Sequence, residues 1–435
     1  MSAPETTEMD RTPAEMDRIS ADKDRTPETS LCVLPWIHTY VGISGYVQLC
    51  CVSGTGETSA PVLGSVRESS LAGLFHSDAM EKVRRLMLAG IWPVQCSYCQ
   101  KKEERGMKSS RQLHNVIHHS FYAQLLEKPD RFVPKIRSVD LRLDNVCNFT
   151  CRSCSGYASS SWFAEHNLIY PDISMSQSTI GLEDATSFWR EFREEILPEL
   201  EFLHLAGGEP LVSVAHYRLL ESLIQSGNTS VALYYDTNLS RLTFKEWNAV
   251  ELWFLFPVIT ICLSLDGVGR KGEYIRHGLD YGQWRKNLAT LRRELPQARY
   301  KMHFVVSIFN VMELGLHLRT ILGQGFVGRD RLRLTFLQWP PYLNVQVLTP
   351  ALKKECERGL RELIEDETLG EPLLSQLRAL LHFVNERELY PEYGAELADK
   401  VARLDRLRGE QTGALFPYLE PMLMPTDNGE PYHAP

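Results

Sequence analysis

The chain has 435 residues, 43% hydrophobic and 23% charged, with a net charge of -8. At roughly 100–200 residues per domain this allows one large domain and a smaller one, and the acidic balance gives no basic surplus that would call for nucleic acid. An apolar leader and any apolar run of roughly 18 residues are absent, which argues against a signal peptide or a membrane span and places the ten cysteines in a reducing, cytoplasmic setting, where clustered thiols serve as metal ligands or catalysts more often than as disulfides.

Residues 1–30 read as a disordered acidic tail, poor in large apolar side chains. Eight acidic and four basic residues leave it at -4, half the charge of the chain. Residues 31–110 form a small cysteine-containing unit in which Asp78–Gly90 reads as an amphipathic helix ending at a glycine. From 111 to 345, apolar β-rich runs appear at Ile136–Leu143, Leu200–Leu205, Val231–Tyr235, Val258–Leu265, Lys301–Ile308 and Arg331–Leu337. Helical patterns separate them, as at His216–Gln225, Tyr281–Leu295 and Met312–Leu322. Such alternation predicts an α/β fold with a parallel sheet. Six units fall short of the eight of a closed barrel, so a partial (β/α)6 TIM-like barrel is expected. The region 346–435 reads as helical (Pro350–Asp366, Pro372–Glu386, Tyr393–Leu407), followed by a Pro-rich tail.

The strand Ile136–Leu143 runs into Cys147-x3-Cys151-x2-Cys154. In parallel α/β folds the carboxyl end of a strand is where ligands bind. Three thiolates on a short loop can hold three irons of a cubane and leave the fourth open. A zinc site, or three unrelated buried thiols, would fit the spacing alone. One β/α unit later, a second strand ends in Gly207-Gly208-Glu209-Pro210. Paired glycines let the backbone approach a ligand closely, and Glu209 adds a carboxylate suited to an ammonium group.

With CNFTCRSC (147–154), GGEP (207–210), DTN (236–238) and SLDG (264–267), the sequence resembles the radical S-adenosylmethionine superfamily over roughly 135–340. The resemblance implies a [4Fe–4S] cluster on Cys147, Cys151 and Cys154. Its open iron would chelate the amino and carboxylate groups of S-adenosylmethionine, with Gly207, Gly208, Glu209 and Pro210 at the amino group. One electron then yields a 5′-deoxyadenosyl radical that removes hydrogen from a C–H bond; the cofactor supplies that chemistry and the protein aims it. Ser264 and Arg276 resemble the residues that hold the ribose and carboxylate, the latter a fitting arginine–carboxylate pair where a surface salt bridge is the equal alternative, and the resemblance implies that Asn238 and Ser307 or Asn310 line the same mouth. Many members carry an aromatic residue just before the third cysteine. Here it is Ser153, a change that bears on adenine packing and removes no ligand.

In the N-terminal unit the pattern is Cys32-x12-Gly45-x4-Cys50, then Cys96-x2-Cys99. Four such cysteines on a loop-rich unit read as metal ligands, and spacing alone does not separate zinc from iron–sulfur. The segment resembles a SPASM or twitch auxiliary-cluster domain, here placed before the barrel, which implies one four-cysteine [4Fe–4S] cluster with Cys50 as ligand and Cys51 as a spare able to exchange with it. Arg84, Arg85, Lys101, Lys102 and Arg105 lie near in sequence and either offset the cluster charge or form a solvated basic face. Cys262 reads as a buried core thiol, Cys356 carries no evident role, and the adjacent His118 and His119 face different sides of a helix.

With two clusters, the resemblance implies an oxidoreductase that uses S-adenosylmethionine on a peptide or natural-product substrate. The auxiliary cluster would handle the substrate-radical electron in oxidation, crosslinking or epimerisation, and an external donor such as flavodoxin or ferredoxin would supply electrons. A dehydrogenase or epimerase of aminoglycoside- or sugar-like small molecules is the alternative, and a non-catalytic iron–sulfur or zinc scaffold a more distant one.

Overall fold

The computed structural model describes residues 30–53, 63–104, 106 and 108–423. The acidic tail, apart from Ser30, the end of the Pro-rich tail and Arg105 lie outside the described residues. The chain divides into two compact units: one of residues up to 143, with 181–205 and 219–232, the other of 144–180, 206–218 and 233 onward.

The first unit carries β1 (His38–Val41), β2 (Tyr46–Gln48), β3 (Gly64–Ser65), β4 (Ser138–Arg142) and β5 (Phe202–Ala206). Their order in the sheet is β3-β2-β1-β4-β5. β1 and β2 form an antiparallel hairpin. Its turn needs Gly45, whose φ of 90° lies in the left-handed region that glycine alone adopts freely. β1 then pairs parallel with β4, His38 opposite Ser138 and Val41 opposite Leu141. The strands of the cysteine-rich segment thus extend the sheet of the first β/α strand, a continuity that composition did not disclose. The amphipathic helix is present as Asp78–Leu88. Ser77 caps it, and Met80, Val83, Leu86 and Met87 are buried.

The second unit carries β6 (Ala232–Thr237), the short hairpin β7 (Thr243–Phe244) and β8 (Trp247–Asn248), β9 (Ile259–Ser264), β10 (Arg299–Val306) and β11 (Leu332–Phe336). β6, β9, β10 and β11 pair in that order, all parallel. Helices Gly269–Ile275, Tyr281–Glu294 and Leu314–Gly323 separate the strands. Burial alternates along β6 and β10. Leu233, Tyr235, Met302, Phe304 and Val306 are buried, and the residues between them are half-buried and mostly polar. Period-two alternation sends successive side chains to opposite faces, so one face is an apolar core and the other a polar surface. Helices Pro350–Ile364, Glu371–Glu386 and Tyr390–Arg408 follow. The α/β class, the largely parallel sheet and the helical C-terminal region are as the sequence predicts. No helix among the described residues is long and apolar enough to cross a membrane.

Candidate functional site

Cys147, Cys151 and Cys154 stand on an irregular loop just past β4, in the second unit. Asn145, fully buried, ties the loop down. Its amide donates to the carbonyls of Gly156 (2.8 Å) and Ser178 (3.0 Å), and its oxygen accepts from the Ile180 amide at 2.8 Å. The Ser159–Trp162 run folds back on the triad: Ser159 Oγ donates to Phe149 O (2.6 Å), Ser161 Oγ to Cys147 O (2.7 Å) and Trp162 Nε1 to Cys151 O (2.9 Å). From the other side the backbone amides of Thr150 and Arg152 donate to His277 and Ile275 carbonyls, both at 2.8 Å. A loop this heavily bonded presents its thiols in one arrangement.

The Gly-Gly-Glu-Pro turn is laced to the same loop. Gly208 N donates to Asp144 O at 3.0 Å and Glu209 N to Val146 O at 2.7 Å. A Cβ on Gly208 would meet Val146 O at 2.2 Å, so only glycine permits this approach. The Glu209 carboxylate is buried and turns inward. It accepts from Thr237 Oγ1 (2.6 Å), Asn238 N (2.5 Å) and Leu211 N (3.1 Å). Glu209 therefore ties its own turn to the end of β6, a positioning duty beyond the ammonium contact suggested by residue type. Burial raises its pKa to about 7 against the lowering effect of those three donors. Asn238 in turn reaches Cys147 Sγ (3.9 Å) and Asn148 Oδ1 (3.2 Å).

Arg276 is a cation of the site. It donates to Asp266 at 2.8 Å. Burial works against its charge, but Cys151 and Asp266 beside it outweigh that and hold its pKa above the ordinary value. Its Nε is buried without a hydrogen-bond partner, a donor available to an anion. Burial raises the Cys147 and Cys154 thiols to about 12, with neighbouring thiols adding to the effect. Thiols so raised are neutral in the free protein and must release protons to bind a metal. Ser264 ends β9, half-buried. Ser307 and Asn310 hold their own turn: Ser307 N donates to Asn310 Oδ1, and Asn310 Nδ2 to Asp266 O, both at 2.9 Å.

Around the triad, Arg152 and Arg408 escaped sequence reasoning. Arg152, inside the triad, is buried and stacks 3.7 Å over the Tyr274 ring. It donates at 2.5 Å to both Asp405 and Glu410. Arg408 Nη2 donates to Thr150 O at 2.8 Å. The helix Tyr390–Arg408 and Glu410, two residues beyond it, thus anchor the loop, from more than 250 positions away.

In the first unit, Cys32, Cys50, Cys96 and Cys99 act on one another electrostatically: Cys32 feels Cys99, and Cys50 and Cys96 both feel Cys32. Burial is the main reason that Cys32 rises to about 12. Cys51 is exposed beside Cys50. Of the cations named from sequence, Arg84 pairs with Glu81 and donates to Pro35 O and Phe75 O at 2.9 Å. The buried cation that acts on Cys32 and Cys96 is Arg111, held by Glu103 at 2.6 Å and by Leu31 O at 2.9 Å. Asn115 completes the clasp, accepting from Val33 N and donating to Leu31 O at 2.9 Å each. A capped helix edge, Ser110–Ile117, was the available signal.

Residues 32–100 match the family model of SPASM, an iron–sulfur cluster-binding domain. No curated protein matches the chain. Among solved structures it is similar to native anSMEcpe with bound AdoMet, with a TM-score of 0.39 at 16% identity over 54% of this chain and 62% of that one. It is similar also to Streptococcus suis SuiB bound to precursor peptide SuiA (0.33, 13%, 55% and 52%) and to SuiB bound to S-adenosylmethionine (0.34, 11%, 63% and 59%). The match spans about six-tenths of the length of native anSMEcpe.

Proposed function

We propose that this chain is a radical S-adenosylmethionine oxidoreductase acting on a peptide or natural-product substrate, with two [4Fe–4S] clusters. The observation that carries the reading is the lacing of the Gly207–Pro210 turn onto the triad loop, with no space for a Cβ at Gly208. That approach puts backbone groups of the turn against the loop that carries the three thiols, of which Cys151 is buried and Cys147 and Cys154 are half-buried. The donor set fits the group: three cysteines on one braced loop, a deficit of one ligand for a cubane, and a buried guanidinium beside them for a carboxylate.

Cys147, Cys151 and Cys154 would hold the first cluster, which when bound supplies the single electron for reductive cleavage of the sulfonium. The chain's own residues do the rest. Arg276 offers its unpartnered Nε to the cofactor carboxylate. Gly207 and Gly208 present the backbone to the amino group. Glu209 fixes the turn against Thr237 and Asn238, and Asn238 stands over Cys147. Ser264 and Ser307 are assigned to the same mouth. Cys32, Cys50, Cys96 and Cys99 would hold the auxiliary cluster, in keeping with the SPASM match over 32–100. Arg111 partly balances its negative charge. A flavodoxin- or ferredoxin-type donor is the proposed electron source.

The test is S-adenosylmethionine cleavage. Anaerobically reconstituted protein with a chemical reductant is expected to release 5′-deoxyadenosine, and the Cys147→Ala/Cys151→Ala/Cys154→Ala variant none. Absence of product from a fully reconstituted protein refutes the reading. Deuterium transfer from labelled candidates into 5′-deoxyadenosine then separates peptide from small-molecule substrates.

A further inference from the structure

A second group of ligand-type side chains stands on the polar face of the second unit's sheet, apart from every cysteine assigned above. Asp236 lies on β6, Cys262 on β9 and His303 on β10. In the parallel register Cys262 is opposite both Asp236 and Lys301. His303 is two residues beyond Lys301 and therefore on the same face. The three donor atoms all lie within 4.8 Å of one another, and His303 Nδ1 is 3.8 Å from Asp236 Oδ1. Ligands of one tetrahedral zinc ion stand roughly 3.5 Å apart, given metal–ligand distances of about 2.0–2.3 Å. Small side-chain rotations reach that.

We propose that Asp236, Cys262 and His303 bind a divalent transition metal of the zinc class, with one position left open to water or to a heteroatom of the substrate. The donor set argues for the class. A thiolate, an imidazole and a carboxylate suit borderline-soft ions, whereas calcium and magnesium take oxygen alone. Three protein ligands rather than four are the mark of a site that keeps an open position. Exposure agrees with that asymmetry: Cys262 is fully buried, while the Asp236 and His303 side chains are 26% and 34% exposed. The surroundings supply an outer shell. Tyr234, also on this face, hydrogen-bonds to the Cys262 sulfur. The Lys301 ammonium sits 5.4 Å over the Tyr234 ring. Arg333 of β11 acts on Tyr234 from the far side. The opposite face of these strands is apolar, so the polar trio is confined to the face where a ligand can reach it.

The proposal stands apart from the cluster assignments, and iron and zinc report on them separately. Reconstituted protein is stripped with a chelating resin, equilibrated with zinc chloride and desalted, and both metals are counted by mass spectrometry. About one zinc per chain is expected, with a zinc-edge absorption spectrum showing one sulfur among nitrogen and oxygen neighbours. Asp236→Asn, Cys262→Ala and His303→Ala should each lower retained zinc at least tenfold while iron is kept. Failure of the wild-type protein to retain zinc overturns the proposal, as does equal retention by the variants. A zinc shell of three or four sulfurs overturns it as well, since the ion would then be filling a cluster site. The wild-type spectrum decides even where a variant fails to fold.

Discussion

Glu209 binds a proton more tightly in the fold than in the unfolded chain, because burial lifts its pKa from 4.5 to about 7. Below pH 4.5 it is protonated in both states and costs nothing. Between pH 4.5 and 7 the unfolded chain ionises first, so stability falls with rising pH and levels off above 7. The shift corresponds to about 3 kcal/mol. Urea unfolding of the metal-free protein should show this loss between pH 5 and 7.5, and Glu209→Gln should flatten it. A wild-type slope unchanged in the variant would contradict the assignment. Gly208 gives a steric counterpart. Its missing Cβ faces backbone rather than a movable side chain, so Gly208→Ala should destabilise the protein by at least about 1–3 kcal/mol and lower the iron retained by the triad. Calorimetry with an iron assay measures both. Residue type and spacing had made the triad and the two glycines legible, since both are local in sequence. The partners of Glu209 were not legible, because a carboxylate in a turn looks the same whether it faces a ligand or the next strand.

Elements were read with similar success and a similar limit. The six β/α strands and the long helices appear within a few residues of their predicted positions, because apolar periodicity encodes them directly. The short strands β1, β2 and β3 were not predicted: two to four residues give too little alternation to register. The C-terminal helix Tyr390–Arg408 was legible as a helix but not as the brace of the triad loop. Arg152 shows the reason. An arginine between two cysteines reads as surface charge until Asp405, Glu410 and Tyr274 are brought around it. Removing one partner from such a buried ionic group costs about 3–5 kcal/mol. Arg152→Ala should therefore lower the unfolding free energy by about that amount and loosen the proposed cluster on Cys147, Cys151 and Cys154. Denaturation and the rate of iron release to a chelator check the two effects, and a variant with wild-type release would sink the bracing role.

For the molecule as a whole the decisive number is iron. The two proposed cubanes require about eight irons per chain after anaerobic reconstitution. Replacing Cys147, Cys151 and Cys154 together should leave about four, as should replacing Cys32, Cys50, Cys96 and Cys99. Exposed Cys51 should be replaceable by alanine without loss of iron. If either multiple variant retains the full iron content, the corresponding assignment is wrong.

The brace on the triad loop also sets an order of manufacture. Arg152 waits for Glu410, 258 residues further on. At roughly 5–20 residues per second of synthesis, the ribosome needs on the order of ten to fifty seconds to deliver that partner. During this interval the three cysteines are already made but their loop lacks its final clasp. Delivery of the proposed cluster thus has a natural window that closes when the last helix docks, and a chain truncated before Tyr390 would keep its three cysteines while never sealing them in.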